Sequence, residues 1–146
     1  MTTVAQILKS KPDNTVHATA PSASVFDAVK LMAEKNIGAL LVKEGEKIVG
    51  VITERDYARK IVLMSRSSKD TAVRDVMTAN VMFVQPDRSS EECMALMTEN
   101  RLRHLPVLDQ GKLVGLVSIG DLVKDVISEQ KFIIQQLEQY IAGRHG

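Results

Sequence analysis

The 146-residue chain has no tryptophan, a single cysteine, four prolines and only 3% aromatic residues. Each scarcity excludes something. Cys93 cannot close an internal disulfide, and it falls within an apolar pattern, which suits a reducing compartment and a packed thiol rather than a nucleophile. Phe26, Tyr57, Phe83, Phe132 and Tyr140 lie far apart in sequence and offer no platform for stacking single-stranded bases. Charge of one sign is lacking too. Nineteen basic residues against 18 acidic ones leave a net charge of +1, without the basic face of a general nucleic-acid binder. No stretch approaches the roughly 20 apolar residues that span a bilayer. The opening MTTVAQILKSKPDN carries no sustained apolar region or cleavage signature. The expectation is a cytoplasmic protein with no membrane and no nucleic-acid partner.

What is present is an ordinary globular composition, 45% hydrophobic and 25% charged, whose core must be aliphatic. A chain of this length buries about 70% of the surface its unfolded form exposes, so it needs neither disulfide nor structural metal.

The main feature is an internal repeat. Residues 16–62 align without a gap on residues 81–127, at a constant offset of 65. Val16 matches Val81, Pro21 Pro86, Ser24 Ser89, Met32 Met97, Leu40 Leu105, Val42 Val107, Gly50 Gly115 and Asp56 Asp121. The preceding segments correspond as well: Thr3-Val4-Ala5-Gln6-Ile7-Leu8 resembles Ala72-Val73-Arg74-Asp75-Val76-Met77, followed in the first copy by a longer connection through Pro12, Asp13 and Asn14. The polar stretch Ser65-Arg66-Ser67-Ser68-Lys69-Asp70 reads as the linker.

Each copy reads as strand, helix, strand, strand, helix. A short strand at 16–19 or 81–84 ends before a proline. Ser24 with Asp27, and Ser89 with Glu92, are capping-box pairs that start a helix. Ala28, Leu31 and Met32, like Cys93, Leu96 and Met97, mark its buried stripe. A hairpin follows, turning at Gly45 or Gly111, and a second helix starts near Glu54 or Ile119. The expected fold is therefore α/β (α+β): two pseudo-twofold β-α-β-β-α units packed through their sheets, with a C-terminal helical extension. A unit of about 60 residues buries too little alone, and clefts between two such halves are favoured ligand sites. The expected domains are 4–65 and 70–128, with a C-terminal helix extension and tail at 129–146.

The chemistry concentrates in Gly50-Val51-Ile52-Thr53-Glu54-Arg55-Asp56 and Gly115-Leu116-Val117-Ser118-Ile119-Gly120-Asp121. A hydroxyl at a strand end and a carboxylate three residues on, in a helix's first turn, face the same small region as the free backbone N–H groups of that helix. Hydroxyl and N–H suit a phosphate, and an ionised Asp accepts from ribose hydroxyls. The same Thr53–Asp56 and Ser118–Asp121 spacing also satisfies the capping-box formula and need do no more than start a helix.

These doubled motifs resemble the Gly-x-x-Thr/Ser-x-x-Asp nucleotide motif of the cystathionine-beta-synthase (CBS) domain family. The whole chain from about Val4 to Ile127 resembles a tandem pair of such domains, a Bateman module. The resemblance implies adenosine-nucleotide binding, with AMP the first candidate and NAD, ADP or ATP following. It implies base contacts at Thr19, Ile37, Gly38 and Ala39 in the first copy and at Val84, Leu102 and Arg103 in the second. Each cleft would combine a base pocket from one half with the hydroxyl and Asp of the other. In Arg101-Leu102-Arg103-His104 the resemblance points to Arg103 and His104 as phosphate contacts, against the alternative of a solvated loop. Arg55 adds one in the first motif, where its counterpart is Gly120, and Asn36-Ile37-Gly38-Ala39 lacks positive charge, so the two sites are expected to be unequal.

His17, His104 and His145 show no metal-ligand spacing with one another or with Cys93, and no triad or phosphate-transfer loop is present. No metal and no enzymatic activity are therefore expected. Val123, Val126, Ile127, Ile134, Leu137 and Ile141 form an apolar stripe at helical spacing that needs cover, from the chain's own domains or from a homodimer partner. The reading is a non-enzymatic regulatory sensor, a homodimer working on an effector protein. The alternative is a nucleotide-independent interaction module.

Overall fold

The computed structural model describes residues 2–145, except the side chains of 144 and 145. Two compact units form, and they do not follow chain order: one is Thr15–Met82, the other joins Met1–Asn14 to Phe83–Gly146.

In the unit Thr15–Met82, β1 (Ala18–Thr19) pairs in parallel with β2 (Ala39–Glu44), which pairs antiparallel with β3 (Lys47–Thr53). Between β1 and β2 lies α2 (Val25–Lys35). The Ser24 hydroxyl accepts from Asp27 N–H to start this helix, and Asn36 ends it in the left-handed conformation that asparagine tolerates better than most residues. The hairpin turns at Gly45, whose positive φ of 64° at the first central position fits a two-residue type II′ connection. After β3 the chain enters α3 (Glu54–Tyr57) and a π-helical turn (Ala58–Val62). The core joins Val25, Ala28 and Met32 of α2 to Leu40, Val42 and Ile52 of the sheet and to Ile61.

The other unit contains α1 (Val4–Ser10), α4 (Ser90–Asn100), the hairpin of β4 (His104–Asp109) and β5 (Lys112–Ser118), and α5 (Ile119–His145). Ser89 and Glu92 form a reciprocal capping box, and Arg101 takes the left-handed position that Asn36 takes in the first copy. Here Gln110 and Gly111 both have positive φ, the pattern of a type I′ turn. Cys93 is fully buried in this core, and burial, with the neighbouring Glu92 charge, pushes its thiol up, as expected for a packing residue.

The first strand of the second copy is reduced to one parallel bridge, Val84 to Val107. The cause is Pro106. At the equivalent position in the first copy, Leu41 N–H donates to His17 C=O, a bond that proline cannot make. Val84 keeps only its own two bonds, N–H to Pro106 C=O and C=O from Leu108 N–H.

The segment ahead of each repeat is built into the unit of the other. Val4 N–H donates to Arg88 C=O and Ala5 N–H to Pro86 C=O; 65 residues away from these acceptors, Val73 N–H donates to Ala23 C=O and Arg74 N–H to Pro21 C=O. Thr3 bridges Ser89 as Ala72 bridges Ser24. Val4 and Ile7 are buried on one side, Val73 and Val76 on the other. The two segments therefore make the same contacts in exchanged units.

Candidate functional site

Each Gly-x-x-hydroxyl-x-x-Asp motif spans the end of one strand and the first turn of the next helix. In the first, Thr53 N–H donates to Asp56 Oδ2 at 3.0 Å, and Asp56 N–H donates to Thr53 Oγ1 at 3.1 Å. In the second, Ser118 N–H donates to Asp121 Oδ2 at 2.9 Å, and Asp121 N–H donates to Ser118 Oγ at 3.1 Å. The capping reading of these residues is thus realised in both copies, and a ligand at either motif has to share the hydroxyl and carboxylate with the cap.

The residues before the second strand of each repeat lie beside the same motif. Glu54 N–H donates to Gly38 C=O at 3.1 Å, and Ile119 N–H to Arg103 C=O at 2.9 Å. Ala39 is in register with Thr53, and His104 with Ser118. Each hairpin therefore gathers part of the expected set into one place: Gly38, Ala39, Thr53 and Asp56 in one unit, Arg103, His104, Ser118 and Asp121 in the other. Ile37, Leu102 and Thr19 are half-buried, whereas Arg55 and Arg103 are exposed. Val84 differs, since its side chain is buried and its backbone is committed to the bridge with β4.

The motif glycines serve packing. A Cβ on Gly50 would lie 2.6 Å from Met77 Sδ and 3.0 Å from Thr78 O, and one on Gly115 would lie 2.8 Å from Leu8 Cδ2. Leu8 and Met77 occupy matching positions in the two exchanged segments. The space beside each motif glycine is taken by these side chains.

Sequence reasoning missed the cations. Lys60, one helical turn beyond Asp56, places Nζ 3.3 Å from Asp56 Oδ1 and donates to Val76 C=O at 2.8 Å. Its i,i+4 spacing was a readable signal. At the equivalent position the second copy has Asp125, one of whose oxygens is buried without a hydrogen-bond partner among the described residues. Lys11 supplies the cation there, 3.0 Å from Asp121 Oδ2 and 2.8 Å from Leu116 O. Burial alone would raise the Asp121 carboxyl. It is outweighed by the Ser118 N–H, the Lys11 ammonium and the Ser118 hydroxyl, which together hold the carboxyl below the usual carboxylate range. No sequence spacing connects Lys11 to Asp121; the exchanged segment does.

An open groove of about 410 Å³ in the second unit is lined by Phe83, Val84, Arg88, Glu92, Leu96 and Glu99, among others, and Arg88 pairs with Glu92 at 3.0 Å. Of the expected ligand contacts it includes only Val84. Among the described residues, no three His, Cys, Asp or Glu side chains are placed to hold a metal, and no helix is long and apolar enough to cross a membrane.

The doubled strand-to-helix motif on a repeated hairpin defines a class. The chain belongs to the CBS domain family, whose model matches residues 4–63 and 73–128. It is 43% identical over 150 residues to the mitochondrial CBS domain-containing protein CBSX3 of Arabidopsis thaliana, covering 97% of this chain and 73% of that one. A putative signal-transduction protein with CBS domains from Burkholderia ambifaria is 64% identical, with a TM-score of 0.86 over 88% of this chain and 96% of the other. A hexameric CBS-CP12 protein from bloom-forming cyanobacteria is 29% identical, with a TM-score of 0.74 over 83% of this chain and 70% of that one. CBS domains are generally regulatory, non-catalytic modules that bind adenosine ligands and form oligomers.

Proposed function

We propose that this chain is a non-enzymatic regulatory protein of signal transduction that binds an adenosine nucleotide, AMP first and NAD, ADP or ATP after it. It acts in the cytoplasm as a homodimer on an effector protein. The observation that carries the reading is the doubling. Two motifs at one offset present the same paired hydroxyl and carboxylate at a strand-to-helix junction, within a family of adenosine-binding modules. Asp56 and Asp121 accept from ribose hydroxyls. Thr53, Ser118 and the adjoining helix amides face phosphate, with Arg55 in one motif and Arg103 and His104 in the other adding positive charge. Backbone and apolar groups at Thr19, Ile37, Gly38 and Ala39, and at Leu102 and Arg103, hold the base, and Val84 supports the second pocket from behind.

The test is calorimetry and thermal shift with AMP, ADP, ATP and NAD on the wild type and on Asp56→Asn with Asp121→Asn. Asparagine keeps an acceptor for the reciprocal cap but gives up the charge paired with Lys60 or Lys11, so the shift of each protein is read against its own ligand-free Tm. A ligand at 100 times its Kd stabilises by about 2.7 kcal/mol, and the double variant should lose that shift. No shift with any of the four refutes the reading. The exposed apolar residues of α5 favour the second reading, an interaction module indifferent to nucleotide, under which both Asp substitutions leave assembly unchanged and no nucleotide shifts the Tm of either protein.

A further inference from the structure

The 27 residues of α5 make a rod about 40 Å long at about 1.5 Å per residue. Only its beginning is held by the unit it belongs to. Leu122 is fully buried, Asp125 and Val126 are half-buried, and Thr2 Oγ1 donates to Glu129 Oε1 at 2.8 Å. From residue 127 to residue 143 every side chain is exposed. A projecting helical segment of this length draws little stability from propensity alone and needs a packed face.

The apolar residues supply such a face. Val123, Ile127, Gln130, Ile134, Leu137 and Ile141 are spaced alternately four and three apart, the seam of a heptad repeat. Isoleucine fills all three a positions, 127, 134 and 141; valine and leucine fill two of the d positions, and Gln130 the third. Ile133 and Tyr140 widen the stripe on one flank, and Phe132 alone among the large apolar residues of this stretch lies off it. The seam and flank side chains are about half-exposed, from 47% at Ile127 to 63% at Tyr140. Together they offer on the order of 800 Å² of surface, the amount one partner contributes to a specific protein interface.

We propose that this stripe pairs with the same stripe of a second copy of the chain, as a parallel, in-register two-stranded coiled coil. The isoleucines at a and the leucine at d position 137 follow the pattern that favours two strands in parallel dimers. In that register Gln130 meets the partner's Gln130, so two amides satisfy each other inside the seam, a polar layer that also fixes the alignment. The best-layered antiparallel pairing instead sets Gln130 against Ile134 twice and Lys131 against Lys131. In the parallel one the charged e positions Lys124, Lys131 and Glu138 stay at the rim with no like charge opposite. The surface deepens the dimeric part of the reading proposed above and rests on that part, independently of any nucleotide.

The test is the solution mass of the full chain by light scattering at micromolar concentration, for the wild type and for Ile134→Glu with Leu137→Glu. Both positions are exposed and remote from the motifs, so the nucleotide thermal shift should stay at its wild-type value while the mass halves, and circular dichroism should lose no more than the helical signal of residues 127–143. Gln130→Cys should form an interchain disulfide under mild oxidation, since native Cys93 is buried and does not compete. A variant that keeps the wild-type mass overturns the helix pairing and leaves the dimer standing. A monomeric wild type overturns both. A dimer in which the Gln130→Cys chains do not cross-link overturns the parallel register.

Discussion

Substituting Gly115 with alanine tests whether the exchanged segment holds the second unit together. The added Cβ would sit 2.8 Å from Leu8 Cδ2 and 3.0 Å from Cδ1, whereas carbon atoms in contact prefer about 3.5–4.0 Å. Either Leu8 leaves its rotamer or α1 lifts from β5. Overpacking of this kind costs about 1–3 kcal/mol, offset by up to about 1 kcal/mol because alanine restricts the unfolded chain. The net loss expected is about 1–2 kcal/mol, or roughly 3 to 7 °C in Tm for a chain of this size. Leu8→Ala alone removes a side chain that is 8% exposed and should cost about 2–3 kcal/mol. Combined, the new methyl enters the space that Leu8 vacates, so the double variant should be more stable than the sum of the singles by at least about 1 kcal/mol. Urea denaturation of the four proteins gives the cycle, and additivity within about 0.5 kcal/mol would refute the packing of α1 on Gly115. Gly50→Ala supplies the contrast. Its Cβ meets flexible Met77 but also Thr78 O at 3.0 Å, a carbonyl fixed by the bond from Val51 N–H, so Met77→Ala should rescue it less.

Lys11→Met should cost about 1–2 kcal/mol at pH 7, because Asp121 and Leu116 C=O lose a partly buried ammonium. Since the folded state depresses the Asp121 carboxyl, its contribution is complete above the unfolded value of about 3.9 and disappears as pH falls through the folded value. Urea midpoints measured from pH 6 down to pH 2 should therefore show the wild type and Lys11→Met converging, and a constant gap would contradict the assignment. Thr53→Ala and Ser118→Ala each remove a helix cap and should cost about 1 kcal/mol by the same denaturation assay. The Cys93 thiol should react with a disulfide reagent only at the rate of unfolding, and fast labelling of the native protein would show that the α4 face opens locally.

What could be read from the sequence was local. Hairpins at Gly45 and Gly111, helices opened by Ser24 and Ser89, and motifs at Thr53–Asp56 and Ser118–Asp121 all follow from short-range turn chemistry and periodicity, and the structure has each of them. Lost strand pairing around Val84 was also within reach, because Pro106 has no N–H where Leu41 has one. The exchange of the leading segments was not. Thr3–Leu8 and Ala72–Met77 have nearly the same apolar pattern, so either would fit either repeat, and connection geometry alone decides between them. Lys11 was hidden for the same reason, since its partner Asp121 is 110 residues away. The site itself was legible as residue types and spacing, but not as the competition between cap, lysine and ligand for each carboxylate.

The exchange also sets an order for building the molecule. The unit Thr15–Met82 is contiguous and has every strand, helix and core side chain it needs once residue 82 has left the ribosome. The other unit joins a segment that precedes residue 15 to the chain that follows residue 82, so α1 must wait, with Val4, Ile7 and Leu8 uncovered, until β4 and β5 arrive about a hundred residues later. A cut in the polar linker at residues 65–70 would thus yield two fragments that each carry a segment belonging to the other. The duplicated sequence looks like two interchangeable modules, but its halves mature as one obligate pair, the earlier complete before the later can close.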